Sequence, residues 1–147
     1  MFKIIDYQAT EPISMVNNNN PIPIAHSPQH SVLAAISICI PRRNSHHNHV
    51  QLIATLGLRG LVETSQILFK IFRDGQEIFR AQQGIESDPT SEVNYIVTFQ
   101  AIDKNVGRGQ HHYQVTAENI TPDTEAAVVG PISFSGLAIA SDDCDDF

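Results

Sequence analysis

The chain has 147 residues, enough for one domain with a real hydrophobic core. Hydrophobic residues make up 41 %, which excludes wholesale disorder, and a net charge of −7 argues against nucleic acid as a partner, because phosphate binding needs clustered Lys and Arg. No apolar run has the length of a membrane span, so no membrane partner is expected. The first six residues lack the apolar core and cleavage site of a secretory signal, so synthesis in a cytosol is expected.

Residues 1–30 differ from the rest. Asn17-Asn18-Asn19-Asn20 is a low-complexity run, and Pro12, Pro21, Pro23 and Pro28 oppose long regular structure. The segment reads as an extended arm or linker, with one short strand over residues 3–7. Phe2, Ile4 and Ile5, and then Pro21, Ile22, Pro23 and Ile24, place apolar side chains on an extended backbone. That is the format for adding a strand to a neighbour's sheet edge.

Residues 31–140 read as a β-sandwich domain. Ile36, Ile38 and Ile40 alternate up to Pro41, and Cys39 between them is expected to pack as a small buried hydrophobe. After the polar loop 42–48, Val50, Leu52, Ala54 and Leu56 share one face. Two apolar runs flank Asp74-Gly75, the dipeptide that supplies the two φ > 0 positions of a type I′ hairpin. Tyr95, Val97 and Phe99, then Tyr113 and Val115, are the inward positions of two further strands. Residues 126–130 and 132–139 close the domain as two strands split by Gly130-Pro131. No segment holds a 3.6-residue apolar period. The fold class is all-β: an antiparallel, jelly-roll-like β-sandwich of about eight strands with an extended N-terminal arm. Residues 141–147 read as an acidic, solvated tail.

Little in these strands carries site chemistry. His46, His47 and His49 lie in one loop, and His111 and His112 at a strand start, but the carboxylate that would complete a cupin-like metal site is missing: Ile53 and Ala54 stand there. The tail Asp142, Asp143, Asp145 and Asp146 lacks the spacing and glycine turn of a calcium loop. There is no Gly-x-Ser-x-Gly and no phosphate-cradling loop. The expectation is no enzyme, no catalytic or metal-binding residue and no cofactor. Cys144, in the tail, is a thiol that could cross-link chains under oxidant. The outward strand positions Thr55, Gln66, Thr98, Gln100, Gln114, Thr116, Ser133 and Ser135 are neutral hydrogen-bonding residues, where soluble monomers often place charge. Such faces are permissive for packing between subunits.

Four phrases carry a family resemblance. They are Ile4-Ile5-Asp6-Tyr7-Gln8-Ala9-Thr10-Glu11-Pro12-Ile13-Ser14, Phe69-Lys70-Ile71-Phe72-Arg73-Asp74-Gly75-Gln76-Glu77-Ile78-Phe79, Val97-Thr98-Phe99-Gln100-Ala101-Ile102-Asp103 and Gly130-Pro131-Ile132-Ser133-Phe134-Ser135-Gly136-Leu137-Ala138-Ile139. Together, in this order, the chain resembles exosporium protein C of spore-forming bacilli, over most of residues 3–140. The reading is also similar to the jelly-roll subunits of endospore appendages, whose N-terminal extensions typically carry cysteines. Residues 1–30 hold none. The resemblance implies a structural protein of the spore surface, synthesised in the mother-cell cytosol, with itself and other exosporium proteins as partners. None of the phrases is a site motif.

The expectation that follows is a self-assembling subunit of the spore surface or its appendages, with the N-terminal arm reaching to a neighbour. The rival is a ligand- or protein-binding sandwich whose contacts are the His-rich loop and the Gly107–Gly109 turn.

Overall fold

Short alternating apolar runs separated by turn residues build nine strands in the computed structural model, which describes residues 2–141. They are β1 (Phe2–Ile13), β2 (Ile22–Pro23), β3 (Ser31–Ile40), β4 (His49–Val62), β5 (Ser65–Arg73), β6 (Gln76–Ile85), β7 (Tyr95–Lys104), β8 (Gly109–Asn119) and β9 (Glu125–Ser141), with one 3₁₀ turn at Arg42–Asn44. The first sheet runs β1-β9-β4-β7, with β2 also on β9, and the second runs β3-β8-β5-β6. Every strand pair is antiparallel. Setting aside the two-residue β2, the eight long strands are ordered first-eighth-third-sixth and second-seventh-fourth-fifth. This is a jelly roll, two Greek keys folded into a double sheet.

The period-two alternation explains the core. Ile36, Ile38 and Ile40 of β3, Val50, Leu52, Ala54 and Leu56 of β4, Tyr113 and Val115 of β8, and Ile132 and Phe134 of β9 all face the gap between the sheets and are buried. Each large side chain so buried contributes about 1.5–3 kcal/mol over its exposed state. Asp74 and Gly75 take φ of 50° and 85°, as the type I′ turn of the β5–β6 hairpin requires.

Several elements differ from the expectation. The first strand of the jelly roll lies inside the expected arm. Residues 2–13 form β1, which folds back along β9 from Phe2↔Ser141 to Ile13↔Ile132. Two register shifts, between Ile4 and Asp6 and between Thr10 and Ile13, break its alternation, so that only residues 3–7 of it read as a strand. Ile24 fills this chain's own core at 2 % exposure, because past Pro23 the backbone turns in between the sheets. Cys39 is not buried. With Ile38 and Ile40 inward, the pleat turns its side chain outward to an exposed position.

Residues 126–139 belong to one long strand with a bulge. Leu56 pairs with Ile132 and Leu58 with Val128, so residues 129–131 of β9 stand opposite Gly57 alone, two residues in excess. Gly130 takes φ +87° there, and its carbonyl oxygen would lie 1.9 Å from a Cβ on Gly57. The glycine at 57 lets β4 run beneath the bulge.

Polar groups also tie the layers. Asp103 of β7 faces inward and accepts from Arg73 of β5 and from the hydroxyl of Tyr113 of β8. The Asp103 carboxylate raises the Arg73 pKa further. Burial first, and then Asp103, push the Tyr113 phenol far above its ordinary range, so it stays a donor.

Candidate functional site

The outward residues of the first sheet fall in register across all four strands. Ile4, Ile139, His49 and Lys104 form one row; Tyr7, Leu137, Gln51 and Ile102 form the next. Ala9, Ser135, Ile53 and Gln100 form a third, and Ser133, Thr55 and Thr98 continue on β9, β4 and β7. The Thr55 and Thr98 hydroxyls lie 3.1 Å apart. Large apolar side chains stand exposed on this face: Ile4 by 68 %, Tyr7 by 58 %, Ile53 by 41 %, Ile96 by 69 % and Ile102 by 50 %. Ile53 stands among the hydroxyls and amides of the centre, and the others lie on the edge strands β1 and β7. A shallow groove of about 410 Å³ follows β1, lined by Tyr7, Thr10, Glu11, Ile53, Ser133 and Ser135 among others. Lys104 is the only Lys, Arg, Asp or Glu within the rows.

The outer face of the second sheet is of the opposite kind. Lys70 bridges Glu118 at 3.1 Å and Glu77 at 3.2 Å, and Arg80 binds Glu77 at 2.9 Å. The Ser27 hydroxyl donates to Glu118 at 2.7 Å, and the His30 ring packs 5.7 Å from that of Phe72, so residues 27–30 cross this sheet. Burial pushes the Glu118 carboxyl up, but the Ser27 hydroxyl and the Lys70 ammonium outweigh it and hold its pKa below the ordinary value. Glu118 in turn raises Lys70. One sheet thus ends in paired charges and the other in an open neutral face.

The residues singled out from sequence are scattered. Phe2, Ile4 and Ile22 are exposed on β1 and β2, Ile5 packs partly against the core, and Pro21 and Pro23 are at the surface. Cys144 and the acidic tail beyond residue 141 lie outside the described residues. Of the neutral set read as outward, Thr55, Thr98, Gln100, Ser133 and Ser135 gather on the open face, while Gln66 and Gln114 belong to the second sheet and Thr116, also there, is fully buried. Tyr7, Ile53, Ile96 and Ile102 were not singled out. The signal for Ile53, Ile96 and Ile102 is the alternation read for its outward phase.

The histidines do not converge. His46 and His47 are exposed on a turn. That turn is pinned by Asn48, whose side chain donates to the Asn44 and Val106 carbonyls and accepts the Val106 N–H. His111 instead contacts Asp74 and the Gly107 carbonyl, each at 2.7 Å. Among the described residues, no group of three or more His, Cys, Asp or Glu is placed to hold a metal ion. No helix among them is long and apolar enough to cross a membrane.

No family model matches the chain, and no curated protein matches it. Several solved structures are similar in shape. An insecticidal delta-endotoxin of Bacillus thuringiensis is 11 % identical with a TM-score of 0.43, over 84 % of this chain and 20 % of that one. A structure of the Gx strain of infectious bursal disease virus is 7 % identical with a TM-score of 0.49, over 93 % of this chain and 38 % of that one. A family 35 carbohydrate-binding module from an environmental isolate is 14 % identical with a TM-score of 0.40, over 96 % and 92 % of the two chains. This chain spans well under half the length of the first two. None of these likenesses assigns a role to a residue of this chain.

Proposed function

We propose that this protein is a non-catalytic jelly-roll module that acts through its surface, as a self-associating structural subunit of the bacterial spore surface, in the exosporium or an appendage. It would be made in the mother-cell cytosol and take itself and other spore-layer proteins as partners. The observation that carries the reading is the placement of β1. It is an edge strand, its main chain pairs with β9, and none of its side chains is fully buried. The loop that follows is polar through Asn17-Asn18-Asn19-Asn20. A strand held in this way can add to the β9 edge of a second copy while its own β9 receives the strand of another. The four phrases of the family resemblance support the spore assignment: they fall on β1, the β5–β6 hairpin, β7 and β9.

The test is a cysteine pair across β1 and β9. Ala9 and Ser135 are register partners, so Ala9→Cys with Ser135→Cys, in a background with Cys39→Ser and Cys144→Ser, reports which β9 each β1 meets. A ladder of linked chains on oxidation supports strand exchange. Intrachain links alone in an assembled sample refute exchange but leave self-association standing. Detection of the protein in outer-layer extracts of spores from the source bacterium tests the location, and its absence there overturns it.

A second reading is a ligand-binding module. The groove with Tyr7 and Glu11 favours it, since an exposed aromatic ring beside a carboxylate and hydroxyls can hold a sugar. That places a ligand on the sheet face rather than at the His-rich loop. Equilibrium dialysis against neutral oligosaccharides tests it, and Tyr7→Ala should abolish any retention found.

A further inference from the structure

We infer that the outer face of the β1-β9-β4-β7 sheet is the contact surface for a second copy of this chain, packed face to face across a two-fold axis. The inference rests on the self-association reading above and names the surface; the face forms whichever copy supplies β1.

Three features of the face fit a second copy. The first is charge. Two chains of net charge −7 repel, and close approach is cheapest where carboxylates are fewest. The rows from Ile4 to Thr98 contain Lys104 and His49 and no carboxylate, with Glu11 at the margin. The second sheet, with Glu77, Glu118, Lys70 and Arg80 already paired, offers no such approach.

The second is self-complementarity. Ser133, Ser135, Thr55, Thr98, Gln51 and Gln100 each carry both a donor and an acceptor. A face built of such groups can satisfy an identical face turned towards it, as a two-fold contact demands. A row of one charge could not. Ile4 near one edge and Ile96 and Ile102 at the other are aliphatic and β-branched, the chemistry that packs one sheet on another.

The third is size. Four strands about 4.8 Å apart and four rows about 6.8 Å apart make a face of roughly 500 Å², or about 1,000 Å² over two copies. That reaches the lower bound for a specific interface, the size range of reversible rather than permanent contacts.

The experiment is sedimentation equilibrium over a concentration series on the full chain, on Ile53→Lys and Thr98→Lys, and on the control Gln82→Lys of the second sheet. Lysine at 53 places a charge at the centre of the face and lysine at 98 places one on its β7 edge, both at exposed positions where folding is spared; unchanged far-UV dichroism and melting temperature confirm that. The expected result is a dimer for the full chain and the control, with the dissociation constant raised at least tenfold in both face variants. If the face variants dimerise like the full chain, the face is wrong and self-association uses another surface. If the full chain is monomeric at every concentration, both this inference and the self-association reading fail. Methyl resonances of Ile53 that shift saturably with a neutral glucose hexasaccharide, in a monomeric chain, would give the face to a sugar and overturn the inference.

Discussion

The hydroxyl of Tyr113 on β8 donates to Oδ2 of Asp103 on β7 at 2.7 Å, joining the two sheets through one buried polar bond. Arg73 holds the other carboxylate oxygen. Removing different members should cost differently. Tyr113→Phe loses a bond to a charged acceptor, about 1–3 kcal/mol, and keeps the ring that fills the core. Asp103→Ala leaves the buried hydroxyl and a mostly buried guanidinium without their partner, about 3–5 kcal/mol. Urea unfolding of both variants measures the order; equal costs would mean that the phenol's bond and not the ion is the main contribution.

Gly57→Ala should be among the worst single methyl additions in the molecule. Its Cβ would meet the Gly130 carbonyl oxygen at 1.9 Å, and main chain cannot step aside as a side chain can. A loss of at least about 3 kcal/mol is expected, from overpacking plus displacement of the bulge. Gly84→Ala is the matched control: its Cβ approaches only the end of the Gln66 side chain, at 3.0 Å. Thermal melts of the two should separate clearly.

The pH dependence follows from Glu118 and Lys70. Glu118 titrates below its ordinary value in the folded chain, so its contribution is complete above about pH 4.5 and is lost as pH falls through the lower folded value. Lys70 titrates above its ordinary value, so its contribution is complete below about pH 10.5 and is lost as pH rises past it. Glu118→Gln should therefore cost about 1–2 kcal/mol at pH 7 and nothing near pH 2. Denaturant titrations at the two pH values check this; a cost that persists in acid would mean the loss is one of packing.

Cys39 should react in the native state. Its side chain is exposed on β3, while its main-chain N–H is held by Asp6 of β1 at 2.9 Å. In a Cys144→Ser background, a small maleimide should label it to completion without denaturant and leave the melting temperature unchanged. Labelling that needs denaturant would return it to the interior.

Much of the jelly roll was legible in the sequence, and the parts that were not have physical reasons. The hairpin at Asp74-Gly75 and the inward sets on β3, β4, β8 and β9 follow from alternation and turn chemistry. Of β1 only residues 3–7 were read as a strand, and its place in the jelly roll was missed, because it is bulged and mostly exposed and sustains no alternation. Cys39 was misplaced by treating an apolar run as wholly buried, although Ile38 and Ile40 already fix its phase. Asp103 gave no sign in sequence, because its partners Arg73 and Tyr113 come from the other sheet. The neutral outward residues were visible one strand at a time. That Ser133, Thr55 and Thr98 share one row depends on β9 and β7 flanking β4, which only the topology reveals.

β9 is the spine of the first sheet, with β1 and β2 on one edge and β4 on the other. It is also the last of the nine described strands in chain order. Until residue 141 has emerged, β1 and β4 have no shared partner, and one edge of β4 waits with its amides unpaired. The second sheet needs only the chain to residue 119. All four strands of the second sheet thus precede β9 in the chain, and a nascent chain halted before β9 would present an unfinished first sheet, open to pairing with any strand nearby.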